Sequence, residues 1–94
     1  MLTYQDMIKQ KIQQARQYPS DARQKGIEGG VEMAFTIMKQ GALKNVEITG
    51  ASGFDVLDEE AVSTIKRASP FPEMPADFHE QEMTMRVKIV FNIE

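Results

Sequence analysis

Tyr18 to Val31 reads YPSDARQKGIEGGV, and the change of pattern across it settles the architecture. Before it, apolar side chains recur every three or four residues. After it, they alternate one by one. The stretch is therefore the junction at which the chain stops being helix and becomes strand. Pro19 ends the helix, because the residue before a proline is pushed out of the α region. Asp21-Ala22-Arg23 has room for one short turn capped by Ser20. Gly26, Gly29 and Gly30 then interrupt regular structure.

On the N-terminal side, Thr3 to about Gln17 is predicted to be helical. Tyr4, Met7, Ile8, Lys11, Ile12 and Ala15 share one stripe. Thr3 is the expected N-cap, with Asp6 completing an approximate capping box. Lys9, Lys11 and Arg16 fall in the second half, where the helix dipole favours cations. On the C-terminal side, Val31, Met33, Phe35 and Ile37 point one way and Glu32, Ala34 and Thr36 the other, which is a half-buried strand.

Lys39-Gln40-Gly41-Ala42 reads as a hairpin turn. A second strand runs from about Leu43 to Thr49, with Val46 and Ile48 as its inward pair, and Gly50 to Gly53 closes it. Leu57 to Arg67 reads as a helix with an apolar stripe of Leu57, Ala61, Ile65 and Ala68, Val62 beside it, and Asp55 as candidate N-cap. Pro70, Pro72 and Pro75 impose an extended connection. Met83 to Ile93 alternates again, with Met83, Met85, Val87, Ile89, Phe91 and Ile93 on one face. The order is α-β-β-α-β. The economical packing is an α+β two-layer sandwich, a three-stranded antiparallel sheet with two helices on one face. Such a sheet has two edges, and its other face meets water. A long alternating strand at the end of the chain leaves one edge open to pairing.

Ninety-four residues make one small domain, taken here as 1–94. The net charge of −3 is unevenly spread. Residues 1–46 hold seven Lys/Arg against four Asp/Glu, and residues 47–94 hold four against ten. The basic residues form no stripe, so nucleic acid is not an expected partner. Cysteine is absent, which excludes disulfides and thiolate metal sites. No signal peptide or membrane-spanning run is visible.

The residues offer little for catalysis. His79 is the one histidine. It sits in a polar loop among Asp77, Glu80 and Glu82 with no second histidine to share a metal. Asp55 to Glu60 lacks the glycine and alternation of a calcium loop and suits a helix N-terminus. Ser52 and Ser69 have no base nearby in sequence. Gly26 to Gly30 lacks the lysine and hydroxyl of a phosphate loop and leads into a strand. The methionines fall mostly on core-facing positions. No enzyme, cofactor or metal is expected. What remains is a binding module with two candidate surfaces. One is the Tyr18-Pro19 corner, whose ring either meets a partner or packs back on the sheet. The other is the free edge of the last strand, open to strand addition by a peptide or by a second copy.

These residues also carry a resemblance. Tyr18-Pro19 with Ala22-Arg23, Gly26-Ile27-Glu28-Gly29 leading into Val31, Phe35-Thr36-Ile37, Gly41, Asn45-Val46, Ser52-Gly53 with Leu57-Asp58 and Ala61, Pro70-Phe71-Pro72 with Pro75, and Phe91 occur in an order and spacing that resembles the C-terminal domain of TonB and TonB-like proteins. The resemblance covers nearly the whole chain and implies the fold just described. It implies a periplasmic domain excised from a longer protein that is anchored in the bacterial inner membrane and works with ExbB and ExbD. Its partner would be an outer-membrane transporter for iron–siderophore complexes, haem or cobalamin. The transporter's TonB box would pair with the last strand, and its plug would face the tyrosine–proline corner. Carried over by position, the implied partner-binding residues are Gln17, Tyr18 and Pro19, together with Arg86, Val87, Lys88, Ile89, Val90 and Phe91. Two rivals stand beside it: a TolA-like domain serving envelope integrity, and a homodimeric module paired through its last strand.

Overall fold

A strand of alternating residues that is buried on one face needs a pairing partner and a cover over its apolar side. In the computed structural model, which describes residues 2–93, β1 (Gly29–Met38) is that strand. It lies between β2 (Leu43–Gly50) and β3 (Glu82–Phe91) in an antiparallel sheet of order β2-β1-β3. Two long helices, α1 (Tyr4–Ala15) and α3 (Asp55–Ala68), cover the apolar face, and α2 (Ser20–Gln24) is a short helix at the junction. The α-β-β-α-β order and the two-layer arrangement are those expected, with α2 in place of a bare turn.

Val31, Met33, Phe35 and Ile37 are fully buried, facing Ile8 and Ile12 of α1 and Leu57, Ala61 and Ile65 of α3. Burying each such side chain contributes about 1.5–3 kcal/mol. The expected water-facing side of β1 is only partly so. Ala34 and Thr36 are buried as well. They sit in register between Glu47 and Arg86, and between Asn45 and Thr84. Short side chains on a central strand are shadowed by longer neighbours, and Thr36 shares a hydroxyl hydrogen bond with Thr84 at 2.9 Å.

The helix ends show where tertiary contacts overrule local signals. The capping box of α1 forms as expected: Thr3 Oγ1 accepts from the Asp6 amide at 3.1 Å, and Asp6 accepts from the Thr3 amide at 3.2 Å. Its C-terminus comes at Ala15, earlier than Gln17, because Arg16 turns extended (ψ 134°) to carry Tyr18 onto the sheet. The last turn of α1 has no basic residue, and Arg67 of α3 instead donates to the Ala15 carbonyl at 3.1 Å. Ser20 does not cap α2. Pro19 is the cap residue and no side chain bonds there. Asp55 likewise is not the cap of α3. Phe54 takes that position without a side-chain bond, and Asp58 reaches back to the Ser52 amide and hydroxyl, both at 2.9 Å.

Two glycines do what only glycine does without strain. Gly26 (φ +69°) closes α2, with its amide on Arg23 O at 3.2 Å and the Ile27 amide on Ala22 O at 2.8 Å, the paired bonds of a Schellman motif. Gly41 (φ +99°) is buried in the hairpin, and a Cβ there would lie 2.0 Å from Phe71 O. The proline-bearing link docks on that hairpin. The Phe71 amide donates to Gly41 O at 2.8 Å, Phe71 stacks on Phe35, and Tyr4 Oη donates to Pro72 O at 2.7 Å.

The strands differ from expectation at their ends. β1 begins at Gly29 instead of Val31, because pairing with Phe91 and Val90 extends over both glycines. β3 stops at Phe91, short of Ile93. Ile48 faces the helix side with Val46, opposite Met33 and with no register shift between the two, but on this edge strand it stays 39% exposed beside α3, whereas Val46 packs against the core. The register shifts lie to either side of this pair, between Glu32 and Met33 and between Thr36 and Ile37.

Candidate functional site

The outer edge of β3 is the feature on which the candidate site is built. The pairing of β1 with β3 runs from Gly29↔Phe91 to Met38↔Glu82 without a register shift. Its phase is fixed by the Lys39 amide, which donates to Gln81 O at 2.9 Å one pair beyond the strand. In an antiparallel ladder, bonded and non-bonded pairs alternate. Met83, Met85, Val87, Ile89 and Phe91 therefore turn their backbone groups inward to β1. Glu82, Thr84, Arg86, Lys88 and Val90 turn theirs outward. An independent contact agrees: the Arg16 guanidinium donates to the Val90 carbonyl from outside the sheet.

The same alternation sorts the side chains. Met85, Ile89 and Phe91 are buried under the helices, while Arg86, Lys88 and Val90 are exposed on the open face. Lys88 lies across the sheet, with its Cε over Gly30. Of the strand residues expected to meet a partner, Arg86, Lys88 and Val90 thus offer both side chain and free backbone. Val87, Ile89 and Phe91 hold the strand in place.

The expected corner adjoins this edge. Tyr18 is half-buried, its ring packed edge-to-face on Phe91 at 5.5 Å and its hydroxyl donating to Ile27 O. It anchors the chain leaving α1 to the end of β3. Pro19 is half-buried and Gln17 exposed. The structure therefore brings the two expected surfaces together at the Phe91 end of β3.

Sequence reasoning missed the wall facing the edge. Between α1 and β3 runs a cleft of about 410 Å³ lined by Lys9, Ile12, Gln13 and Arg16 on one side and by residues 86–90 and Asn92 on the other. Lys9 and Arg16 line it from α1, whereas the side chains of Arg86 and Lys88 lie on the open face and share a second, shallower pocket with Glu32. Among the described residues the ion pairs lie elsewhere, Lys44 with Glu82 and Arg67 with Glu60. The signal in the sequence is the spacing of Lys9, Gln13 and Arg16, which puts them on one helical stripe beside Ile12.

Across the sheet, the β2 edge has a different lining. Ile48 shares an open groove with Asp55, Asp58, Glu59, Val62 and Ser63 of α3. His79 stands exposed in the link before β3. Among the described residues, no three His, Asp or Glu side chains are grouped so as to hold a metal ion, and no helix is long and apolar enough to cross a membrane. Burial raises the Tyr4 phenol above its ordinary pKa.

Residues 14–93 match the family described as Gram-negative bacterial TonB protein C-terminal. The chain is similar to the protein TonB of Campylobacter coli, 38% identical over 77% of this chain and 32% of that protein. It thus spans about a third of the length of the curated relatives it matches. Among solved structures, a TonB C-terminal domain of Helicobacter pylori (residues 179–285) superposes with a TM-score of 0.83 at 26% identity, over 97% of this chain and 81% of that one. A TolAIII domain solved with a peptide from the N-terminus of TolB superposes with a TM-score of 0.62 at 21% identity, over 89% of this chain and 70% of that one, a likeness of fold alone.

Proposed function

The chain belongs to the family of TonB C-terminal domains, and from that premise we infer that it takes up an extended peptide on the outer edge of β3. The observation that carries this reading is the unbroken strand whose Thr84, Arg86, Lys88 and Val90 turn their N–H and C=O groups away from the sheet beside a cleft. An added strand satisfies those groups with main-chain bonds that ask little of its sequence. Bonds of this kind share a load when strands are pulled in shear. Such a joint suits a domain that passes force and then releases.

In this reading the peptide is the TonB box of an outer-membrane transporter, and the exposed Gln17 and Pro19 meet the transporter's plug while Tyr18 fixes their position. The domain works in the periplasm as the end of a longer protein anchored in the inner membrane. It passes proton-motive force from ExbB and ExbD to uptake of iron–siderophore, haem or cobalamin, and it transduces energy without catalysing a reaction. The TolA-like alternative rests on a shared fold at 21% sequence identity.

The test is a titration of the labelled chain with a TonB-box peptide, followed by amide chemical shifts. Shifts concentrated at Thr84–Val90 are expected. Shifts confined to residues far from Arg86–Phe91 would sink the reading.

A further inference from the structure

The groove between β2 and α3 takes no part in strand addition on β3. We propose that it is a second docking site, which receives a cationic helical segment of a protein partner, held by an apolar anchor. The sheet order β2-β1-β3 puts this groove and the β3 edge on opposite sides of the domain. The two sites can therefore be filled at once.

The floor of the groove is apolar. Ile48 faces the helix side opposite Met33 and is 39% exposed. Val62 of α3 is half-buried beside it, in a groove of about 570 Å³ that opens to solvent. Apolar surface left in water gains when a partner covers it.

The rim carries one sign of charge. Asp55, Asp58 and Glu59 line it, and no Lys or Arg does. Asp58 is committed to the Ser52 amide and hydroxyl. Asp55 and Glu59 are exposed, and neither belongs to the ion pairs of the described residues. The helix dipole accounts for Asp55 in the first turn of α3, but Glu59 lies beyond that turn. Among the described residues no three His, Asp or Glu side chains are grouped to hold a metal ion. Cations spaced along a chain fit these carboxylates better than one bound ion does.

The two walls decide the form of the occupant. β2 shifts register against β1 on both sides of the Met33–Thr36 run, which denies an added strand a regular ladder. Recognition falls to side chains. Asp55, Glu59 and Val62 lie four and three residues apart on α3, the spacing at which one helix offers a ridge to another. Asp55 and Glu59 are about 6 Å apart along the axis. A partner helix with cations at i and i+4 and a Leu or Ile one turn beyond matches that row. Its cations meet the two carboxylates, and its apolar side chain covers Ile48 and Val62.

Three helical peptides of about 14 residues, the length of α3, provide the test. They share Leu anchors and differ at the i and i+4 positions, which hold Lys, Gln or Glu. Each is titrated into the labelled chain. The Lys peptide is expected to shift the amides of Ile48 and Asp55–Ser63 and to leave Thr84–Val90 in place. It should bind about fivefold tighter than the Gln peptide at low salt, with the Glu peptide weakest. Salt at about 1 M should remove most of that advantage. Ile48→Lys should abolish the shifts with the circular dichroism spectrum unchanged. Asp55→Asn/Glu59→Gln should bring the Lys peptide down to the level of the Gln peptide. Equal binding of the Lys and Gln peptides to the unaltered chain overturns the proposal. So does the absence of shifts at Ile48 and Asp55–Ser63 with every peptide, or sedimentation that finds the groove closed by a second copy in an association that Ile48→Lys dissolves. Strand addition is read separately, from Thr84–Val90 with the TonB-box peptide, and stands or falls on its own.

Discussion

The two edges of this sheet solve the same problem in opposite ways. An edge strand presents unpaired backbone groups and has to be guarded or used. β2 is short, shifts register twice against β1, and carries an exposed Ile48 beside Asp55, Asp58 and Glu59. β3 is longer and pairs with β1 without a shift. Its outer side adjoins a cationic cleft in which one arginine covers one carbonyl. The bulges twist β2 away from any regular partner. The regularity of β3, held in place by Tyr18 on Phe91, makes it the edge a partner can extend. A removable side chain guards β3, where distorted backbone guards β2.

The largest expected effects test the alternation along β3. Ile89→Pro removes an inward amide from the ladder with Val31 and a buried side chain. It should cost at least about 3 kcal/mol, enough to unfold much of the protein by circular dichroism. Lys88→Pro, one residue away, removes an amide that faces outward. It should lower stability by about 1 kcal/mol or less while abolishing peptide-induced shifts along β3. Equal damage from the two prolines would mean that inward and outward positions have been assigned wrongly.

Tyr18→Ala should cost about 2–3 kcal/mol in chemical denaturation, because it removes the ring from Phe91 and the bond to Ile27. Tyr18→Phe should cost about 1 kcal/mol and keep peptide binding. On the other edge, Ile48→Lys should change stability by no more than about 0.5 kcal/mol and leave docking on β3 unaltered. A loss of docking there would exchange the roles of the two edges.

The smallest effect is alkaline. Burial raises the Tyr4 phenol, so the folded state holds that proton more tightly than the unfolded state. The resulting stability is complete below the unfolded value of about 10 and is lost as pH rises through the folded value. Tyr4→Phe should flatten the fall in stability above about pH 10.

The fold could be read from the chain because its signals were local and repeated. The alternation at Val31–Ile37 and Met83–Phe91 and the stripes of α1 and α3 each state a period, and the glycines and prolines punctuate them. What escaped depends on neighbours distant in sequence. Alternation placed Ile48 on the helix side, where it lies, but a period does not state that an edge position beside α3 leaves it 39% exposed. Asp55 looked like a cap because the bonds from Asp58 to Ser52, which settle the turn, form across a loop. Lys9 and Arg16 were read only against the dipole of their own helix. Their meaning as one wall of a cleft depends on β3 lying beside α1, some 70 residues further along the chain.

Amide hydrogen exchange along β3, read residue by residue with and without a TonB-box peptide, tests the central claim most directly. In the free chain, the amides of Met85, Val87, Ile89 and Phe91 should exchange slowly and those of Arg86, Lys88 and Val90 fast. At saturation the three fast amides should slow while those of β2 stay as they were. Fast exchange at Arg86, Lys88 and Val90 in the saturated complex, or new protection along β2 instead, would contradict the claim that the outer edge of β3 is where the partner strand docks.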